Sequence, residues 1–447
     1  MNAIRRRRNR AALVVATSVA ITGLLAACST SGAGGNQSGS GSNSGATATL
    51  WAVSAGTDQP LLNAAKAFEK AHPGEKVDIT FLPNSDAGKQ KLTIAMQGNA
   101  APTMLMNTGG SNLEQYVQAG KVLPVDDVMG SKHSDWKSAF QQNAFGAVTV
   151  NNKIYGVPLL GSEPIMMFYS KPVYKKLGLS VPTTFDQLLQ NAAAIKKAGL
   201  APFALGNSQG WPGLVWEQML VDRYGGPGVI KKILAGDSSA WKDPAFIKAN
   251  TMIQRIAKAG YFQTGYSAVD YSTGQPNALL YTNKAGMQMM LNFLYTQMQT
   301  QSASYIKNGD LGWFAVPSVS GGLGDPKDAA GNVGQYAVVT KSATAAQKAV
   351  AADFLASELP EPTHVKEMLA AGEVPQIASA SKFVNDPSVS EFTKFTYSLV
   401  AAAPAYQNSW DHALPASVSQ TMLTSLENVF TLKWTPQQFS NAMAAAK

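Results

Sequence analysis

The chain has a single cysteine, Cys28, in 447 residues. One thiol cannot close an intrachain disulfide or build a cysteine-rich metal site. Histidine is nearly as scarce: His72, His133, His364 and His412 stand in unrelated contexts without ligand spacing. No H-E-x-x-H, Gly-x-Ser-x-Gly, P-loop or EF-hand pattern occurs, so the sequence offers no motif for a metal, a hydrolase triad or a nucleotide, and no cofactor is expected. Long apolar runs are missing as well. The longest, Ala11 to Ala27, is broken by Thr17, Ser18 and Thr22 and is too short to span a bilayer. Charge is sparse, at 14% Asp, Glu, Lys and Arg, and no charge block appears from Ala48 onward.

What is present at the start is an export pattern. Arg5, Arg6, Arg7, Arg8 and Arg10 precede the short apolar stretch, which ends in Leu25-Ala26-Ala27-Cys28. This resembles the bacterial lipobox. The resemblance implies that residues 1–27 are a lipoprotein signal peptide and that Cys28 carries the lipid anchor. Five Arg and no acid lie before Cys28, so the formal +8 falls to about +3 in the processed chain, 31 basic residues against 28 acidic. That is too little to argue for nucleic acid. Residues 28–47, rich in Gly, Ser and Asn, cannot bury enough surface to order themselves and read as a flexible tether.

The rest, from Ala48, exceeds one hydrophobic core in length and alternates strand and helix. Thr49 to Ala55 is β-rich; Leu61, Leu62, Ala65, Phe68 and Ala71 form a helical stripe ended by His72-Pro73-Gly74; Val77 to Leu82 alternates as a strand. A helix is expected over 89–98, a buried strand over 103–106 and a helix over 112–120. Beyond Leu160, Pro164 to Ser170 reads as a strand and Phe185 to Gly199 as a helix capped by Thr183 or Thr184. Two α/β lobes are the simplest architecture.

Several blocks carry a family resemblance: Ala65 to Pro73 followed by Val77, Lys153 to Leu159, Phe168 to Lys171, Pro182 to Phe185, Lys284 to Met287 running on to Phe293, Gly312 to Pro317, and Ser409 to Pro415. In this order they resemble the extracellular solute-binding proteins, family 1, the maltose-binding-protein-like receptors of ABC importers. The resemblance implies an α/β two-lobed type II periplasmic-binding-protein fold, with crossings near Leu159 to Ser162, near Gly334 and near Gly372 to Ile377. Lobe 1 would hold residues 48–159 and 335–373, and lobe 2 residues 160–334 and 374–447.

A sugar presents apolar C–H faces and hydroxyl edges, so its cleft needs flat rings together with carboxylates and amides. Trp211, in a Gly- and amide-rich stretch, and Trp410, beside Asp411, stand among polar residues and are expected in a cleft. Trp241, Trp313 and Trp434 lie beside apolar runs and are expected in the core. The resemblance adds Glu163, where maltose-binding-like receptors place a sugar-binding glutamate, and Phe293, where they usually carry a cleft Trp. Asn107 and Asn112 flank the turn after the expected buried strand, a position where open α/β sheets bind ligands. The maltose receptor's aromatic and charged residues are missing there. Its charged pair is also missing near Ala55-Gly56, with Thr57 and Asp58 the nearest substitutes.

The expected protein is a lipid-anchored, monomeric, non-enzymatic receptor on the extracytoplasmic face of the cell membrane. It captures a neutral mono- or oligosaccharide by hinge closure and passes it to the transmembrane subunits of an ABC permease. Two readings stay open beside it: a surface glycoside hydrolase whose paired carboxylates are far apart in sequence, and a receptor of the same fold for a non-sugar solute.

Overall fold

The computed structural model describes residues 46–53, 58–83, 86–98 and 101–446. The expected signal peptide, Cys28 and all but the end of the expected tether lie outside these residues. Strand β1 (Thr47–Val53) starts within the expected limit of that tether, because Thr47 already pairs with Lys76 of β2 (Lys76–Leu82).

The first β-α-β unit forms for the reason its spacing gives. The helix Asp58–Ala71 buries Leu61, Ala64, Ala65 and Phe68 on one stripe, and β1 and β2 run parallel beneath it. Next come β3 (Met104–Asn107), the short hairpin of β4 (Thr149–Val150) and β5 (Lys153–Ile154), and β6 (Val157–Leu160). They are followed by β7 (Glu163–Ser170), β8 (Ala201–Phe203), β9 (Ala285–Leu291), β10 (Leu311–Phe314), β11 (Ala329–Asn332), β12 (Gln335–Val339) and β13 (Tyr406–Asn408). Two main sheets result, in strand orders β2-β1-β3-β12-β6 and β13-β11-β7-β9-β8, with β10 also on β7.

Local signals and structure agree closely at several elements. The helix Phe185–Lys197 opens on a capping box between Thr184 and Gln187. The helices expected over 89–98 and 112–120 run Asp86–Gln97 and Gly110–Gln118. The Met-rich β9 is buried along its whole length, which is why it shows no alternation of apolar and polar residues.

Each sheet has its own core. Leu50, Phe68, Leu105, Leu113, Trp136, Tyr336, Val338 and Phe354 belong to the first; Phe168, Phe185, Phe203, Trp216, Phe246, Met289 and Phe430 belong to the second. Ile377, Ala380 and Val389 were expected in lobe 2 but pack in the first core, where Ile377 bridges to Phe140. The second core resumes only at Phe392. Apolar spacing identifies such residues as buried without saying in which core. Among the described residues no helix is long and apolar enough to cross a membrane.

Candidate functional site

The strand registers align one edge of each sheet. In the second sheet, Glu163 at the start of β7 faces Asn332 at the end of β11, and Asn408 at the end of β13 pairs with Gly331. Leu291 at the end of β9 pairs with Ile165, so Phe293 emerges on the same edge, as does the segment leading from β8 to Trp211. In the first sheet, Asn107 at the end of β3 pairs with Tyr336, and Gln335 pairs with Leu160 at the end of β6. Asp58 follows the end of β1 on that edge. These are the strand ends at which α/β sheets place ligands.

The segments between the cores are tied together. Ser162 donates to the Val333 carbonyl at 3.0 Å, and Gln376 donates to both Ser162 and the Val333 carbonyl. Ser162 N donates to the Val374 carbonyl at 2.9 Å. Gly161 is needed there, because a Cβ would stand 2.4 Å from the Val374 oxygen. Its N–H donates to a Glu373 carboxylate oxygen at 3.1 Å.

Glu163 lies beside this knot and is buried, at 3% exposure. It accepts a hydrogen bond from Asn332. Burial, reinforced by the charge of Glu373, pushes its carboxyl up to about 7, against the lowering effect of bonds from Asn332 and Gln335.

A cleft of ≈540 Å³ opens between the two edges. Gly110, Ser111, Glu114, Ala147, Thr149 and Asn151 line it from the first-core side. Tyr406, Asn408, Ala413 and Leu234 line it from the other, and Val333 and Tyr336 lie where the chain passes between cores. The polar part of the lining is hydroxyl, amide, phenol and one carboxylate, Glu114, with no Lys, Arg or His among the described residues, and Ala147, Val150, Leu234, Val333 and Ala413 make up an apolar part of similar extent. The Tyr406 hydroxyl donates to the Asn332 carbonyl at 3.0 Å, one residue pair away from Glu163. Asn408 Oδ1 and Asp411 Oδ1 are buried without a hydrogen-bond partner.

The expected site residues distribute unevenly around this cleft. Trp211 and Phe293 do meet: both are half-buried, their ring centroids 6.4 Å apart, and Tyr271 packs on each at 5.1 and 6.1 Å. None of the three lines the cleft, and Tyr271 carried no local signal. Trp410 requires a correction. It is 1% exposed and packs on Trp241 and Phe246, so its ring presents no stacking face to the cleft. Asp411 stays half-buried on the same short helix. The turn after β3 does reach the cleft, but through Gly110 and Ser111. Asn107 is buried with its side-chain oxygen accepting from Gly109 N at 2.8 Å, and Asn112 is exposed with its amide on Thr108. Asp58 opens its helix half-buried. Trp241 is in the core as expected, while Trp313 and Trp434 are half-buried.

Comparison with known proteins places these features. The profile of the bacterial extracellular solute-binding proteins matches residues 51–358. An ABC transporter extracellular-binding protein of Pyrococcus horikoshii is 28% identical over 247 residues, 54% of each chain, so the chain spans about half the length of the curated relatives it matches. A solved protein from Caldanaerobius polysaccharolyticus, studied for xylan utilization, superposes with a TM-score of 0.78 at 26% identity, covering 89% of this chain and 99% of its own. The GacH receptor of Streptomyces glaucescens, solved without ligand and with acarbose, reaches a TM-score of 0.70 at 19% identity over 89% and 96%. Both share the two-lobed fold.

Proposed function

Since the chain belongs to the bacterial extracellular solute-binding proteins, we propose that it is the extracytoplasmic receptor of an ABC importer, binding a neutral mono- or oligosaccharide between its lobes without transforming it. The observation that carries this reading is the composition of the cleft wall: hydroxyls, amides, tyrosines and one carboxylate beside apolar Val150, Leu234 and Val333, with no cation. Sugar hydroxyls both donate and accept, and a wall of this kind answers both. Acidic sugars or sugar phosphates would find no countercharge. The unpartnered acceptor Asn408 Oδ1, on a residue that lines the cleft, calls for a donor from the ligand, and a cleft of ≈540 Å³ lies within the ~300–1,000 Å³ of small-molecule sites. The half-exposed rings of Trp211 and Phe293, on the same sheet edge as Glu163, supply stacking faces for a longer saccharide.

In this reading the lobes turn about the knot of Gly161, Ser162, Val333 and Gln376. Closure is favoured because only the closed form contacts the solute from both sides. Cys28 anchors the receptor to the membrane through its lipid, and the permease subunits receive the sugar. Several relatives point to carbohydrate ligands, among them a multiple sugar-binding protein of Streptococcus mutans and a chitin oligosaccharide binding protein.

Titration calorimetry against xylo-, chito- and malto-oligosaccharides and the common monosaccharides, each beside its uronate, tests the proposal. One neutral saccharide should bind, be recovered unchanged, and lose at least about tenfold in affinity in Tyr406→Ala or Asn408→Ala, the scale of one to two hydrogen bonds. Tighter binding of a uronate, or no binding across the panel, overturns it.

A further inference from the structure

We propose that Gly110 and Ser111 form a latch that holds the two lobes together across the cleft. The inference rests on the two-lobed receptor reading. It concerns the protein's own closing contact, whose strength sets how much closed form exists before any ligand arrives.

The geometry of the latch comes from two anchored helices. The helix Gly110–Gln118 is fixed to the first core by Leu113, and the short helix Trp410–Ala413 is fixed to the second core by Trp410 and the following Leu414; all three anchors are buried. Where their ends meet, the Ser111 hydroxyl donates to the His412 carbonyl at 3.2 Å and to the Leu414 carbonyl. These carbonyls lie at the C-terminal end of their helix, where carbonyl groups lack intrahelical partners. The chain comes this close only because residue 110 has no side chain. Gly110 sits at φ +61°, and a Cβ there would stand 2.3 Å from the His412 oxygen and 3.3 Å from Ala413 Cα. The opposing atoms are backbone and cannot swing aside.

Gly110, Ser111 and Ala413 line the same cleft as Tyr336 and Val333, so the latch closes over the space a solute would fill. A contact made only in the closed form lowers the free energy of that form, and a solute that requires closure then binds tighter in proportion to the closed fraction. In the latch Gly110 and Ser111 are thus positioning residues, acting through lobe closure.

Small-angle scattering of the ligand-free protein tests this without reference to any sugar, so failure of the sugar assignment leaves the test readable. Four proteins are compared: the parent, Ser111→Ala, Gly110→Ala and Gly120→Ala. Gly120 ends the same helical segment with the same left-handed backbone, φ +63°, but a Cβ there meets nothing within 4 Å. It therefore reproduces the backbone strain of Gly110→Ala without the clash. The expected result is a larger radius of gyration for Gly110→Ala, a smaller increase for Ser111→Ala, and the parent value for Gly120→Ala. Should Gly110→Ala melt too low to measure, Ser111→Ala alone carries the comparison. Equal radii for Ser111→Ala and the parent, or an increase in Gly120→Ala matching that in Gly110→Ala, would falsify the latch.

Discussion

The two cores are built from different materials. The first is largely aliphatic, with Leu, Val, Met and Ala on and around a short sheet. One of its ion pairs joins Lys132, mostly exposed, to Asp353, which is buried and also bonded by His133. The second is aromatic: Phe203, Trp216, Phe262 and Phe430 form one chain of ring contacts, and Trp241, Phe246, Trp410 and Phe439 form another. It also buries charge. Arg223 is 2% exposed, pairs with Asp222, and donates to the carbonyls of Val316 and Asp328, while Asp222 accepts from Gln407. This network joins the helix Trp211–Gly225 to the loop before β11 and to the strand that carries Tyr406 and Asn408. The second lobe thus holds its cleft wall in place with directional bonds that tolerate few alternatives. The first contributes its part of the wall from the start of the helix Gly110–Gln118 and from the hairpin that begins at Thr149.

The largest effect that could break this contrast is at Arg223. Arg223→Met should lower stability by about 3–5 kcal/mol, because Asp222 would be left buried without its counter-ion. Lys132→Ala in the first lobe should cost about 1 kcal/mol, because the lysine is mostly exposed and His133 still bonds Asp353. Urea denaturation of the two variants checks the difference, and comparable losses would remove the distinction drawn between the lobes.

Of similar size is the effect at Trp410. Trp410→Ala should cost about 3–5 kcal/mol of stability, with any loss of sugar affinity following from unfolding alone. Calorimetry below the melting range decides the point: a lost affinity in a variant that melts like the parent would return Trp410 to the cleft.

Trp410 also shows where the sequence was legible and where it was not. Elements defined by near neighbours were readable: the apolar stripe of Asp58–Ala71, the Thr184 cap, the alternation of Val77 to Leu82. The end of the expected buried strand led to Asn107, and the family resemblance to Glu163 and Phe293; all three fall on the aligned sheet edges. What sequence could not give is which partner a residue meets far along the chain. Asn408, Ser409, Asp411 and His412 make the surroundings of Trp410 look polar, yet its ring rests on Trp241 and Phe246, contributed from more than a hundred and fifty residues away. The same limit hid Tyr406, Tyr336 and Tyr271. A tyrosine is equally at home in a core and at a wet surface, and only the register of β11, β12 and β13 places the first two at the cleft. Gly110 and Ser111 were likewise passed over for the Asn residues flanking them, because the surface they approach lies three hundred residues on.

The smallest predicted effect, and the one that sharpens the comparison most, is pH dependence of opposite sign in the two lobes. A buried titratable group of the first core is His364, whose imidazole burial holds down to about 4. Its folded form stays neutral while the unfolded chain takes up a proton below about 6.5, so this group lowers stability as pH falls from there towards 4. At the lobe junction and in the second core the buried groups are acids: Glu163 is pushed up to about 7, and Glu217, bonded to Asn250, to about 8, each mainly by burial. Their folded forms keep a proton that the unfolded chain loses above about 4.5, so they lower stability as pH rises through 7 and 8. His364→Leu should therefore flatten the acid limb of a stability-against-pH curve and leave the alkaline limb alone. Glu163→Gln should flatten the limb between about pH 5 and 7 and leave the acid limb alone, with Glu217 still lowering stability towards pH 8. Denaturant midpoints at pH 4.5, 6 and 8 separate the two limbs, and a His364→Leu variant that altered the alkaline limb, or a Glu163→Gln variant whose curve ran parallel to the parent's, would show that the two regions do not titrate independently.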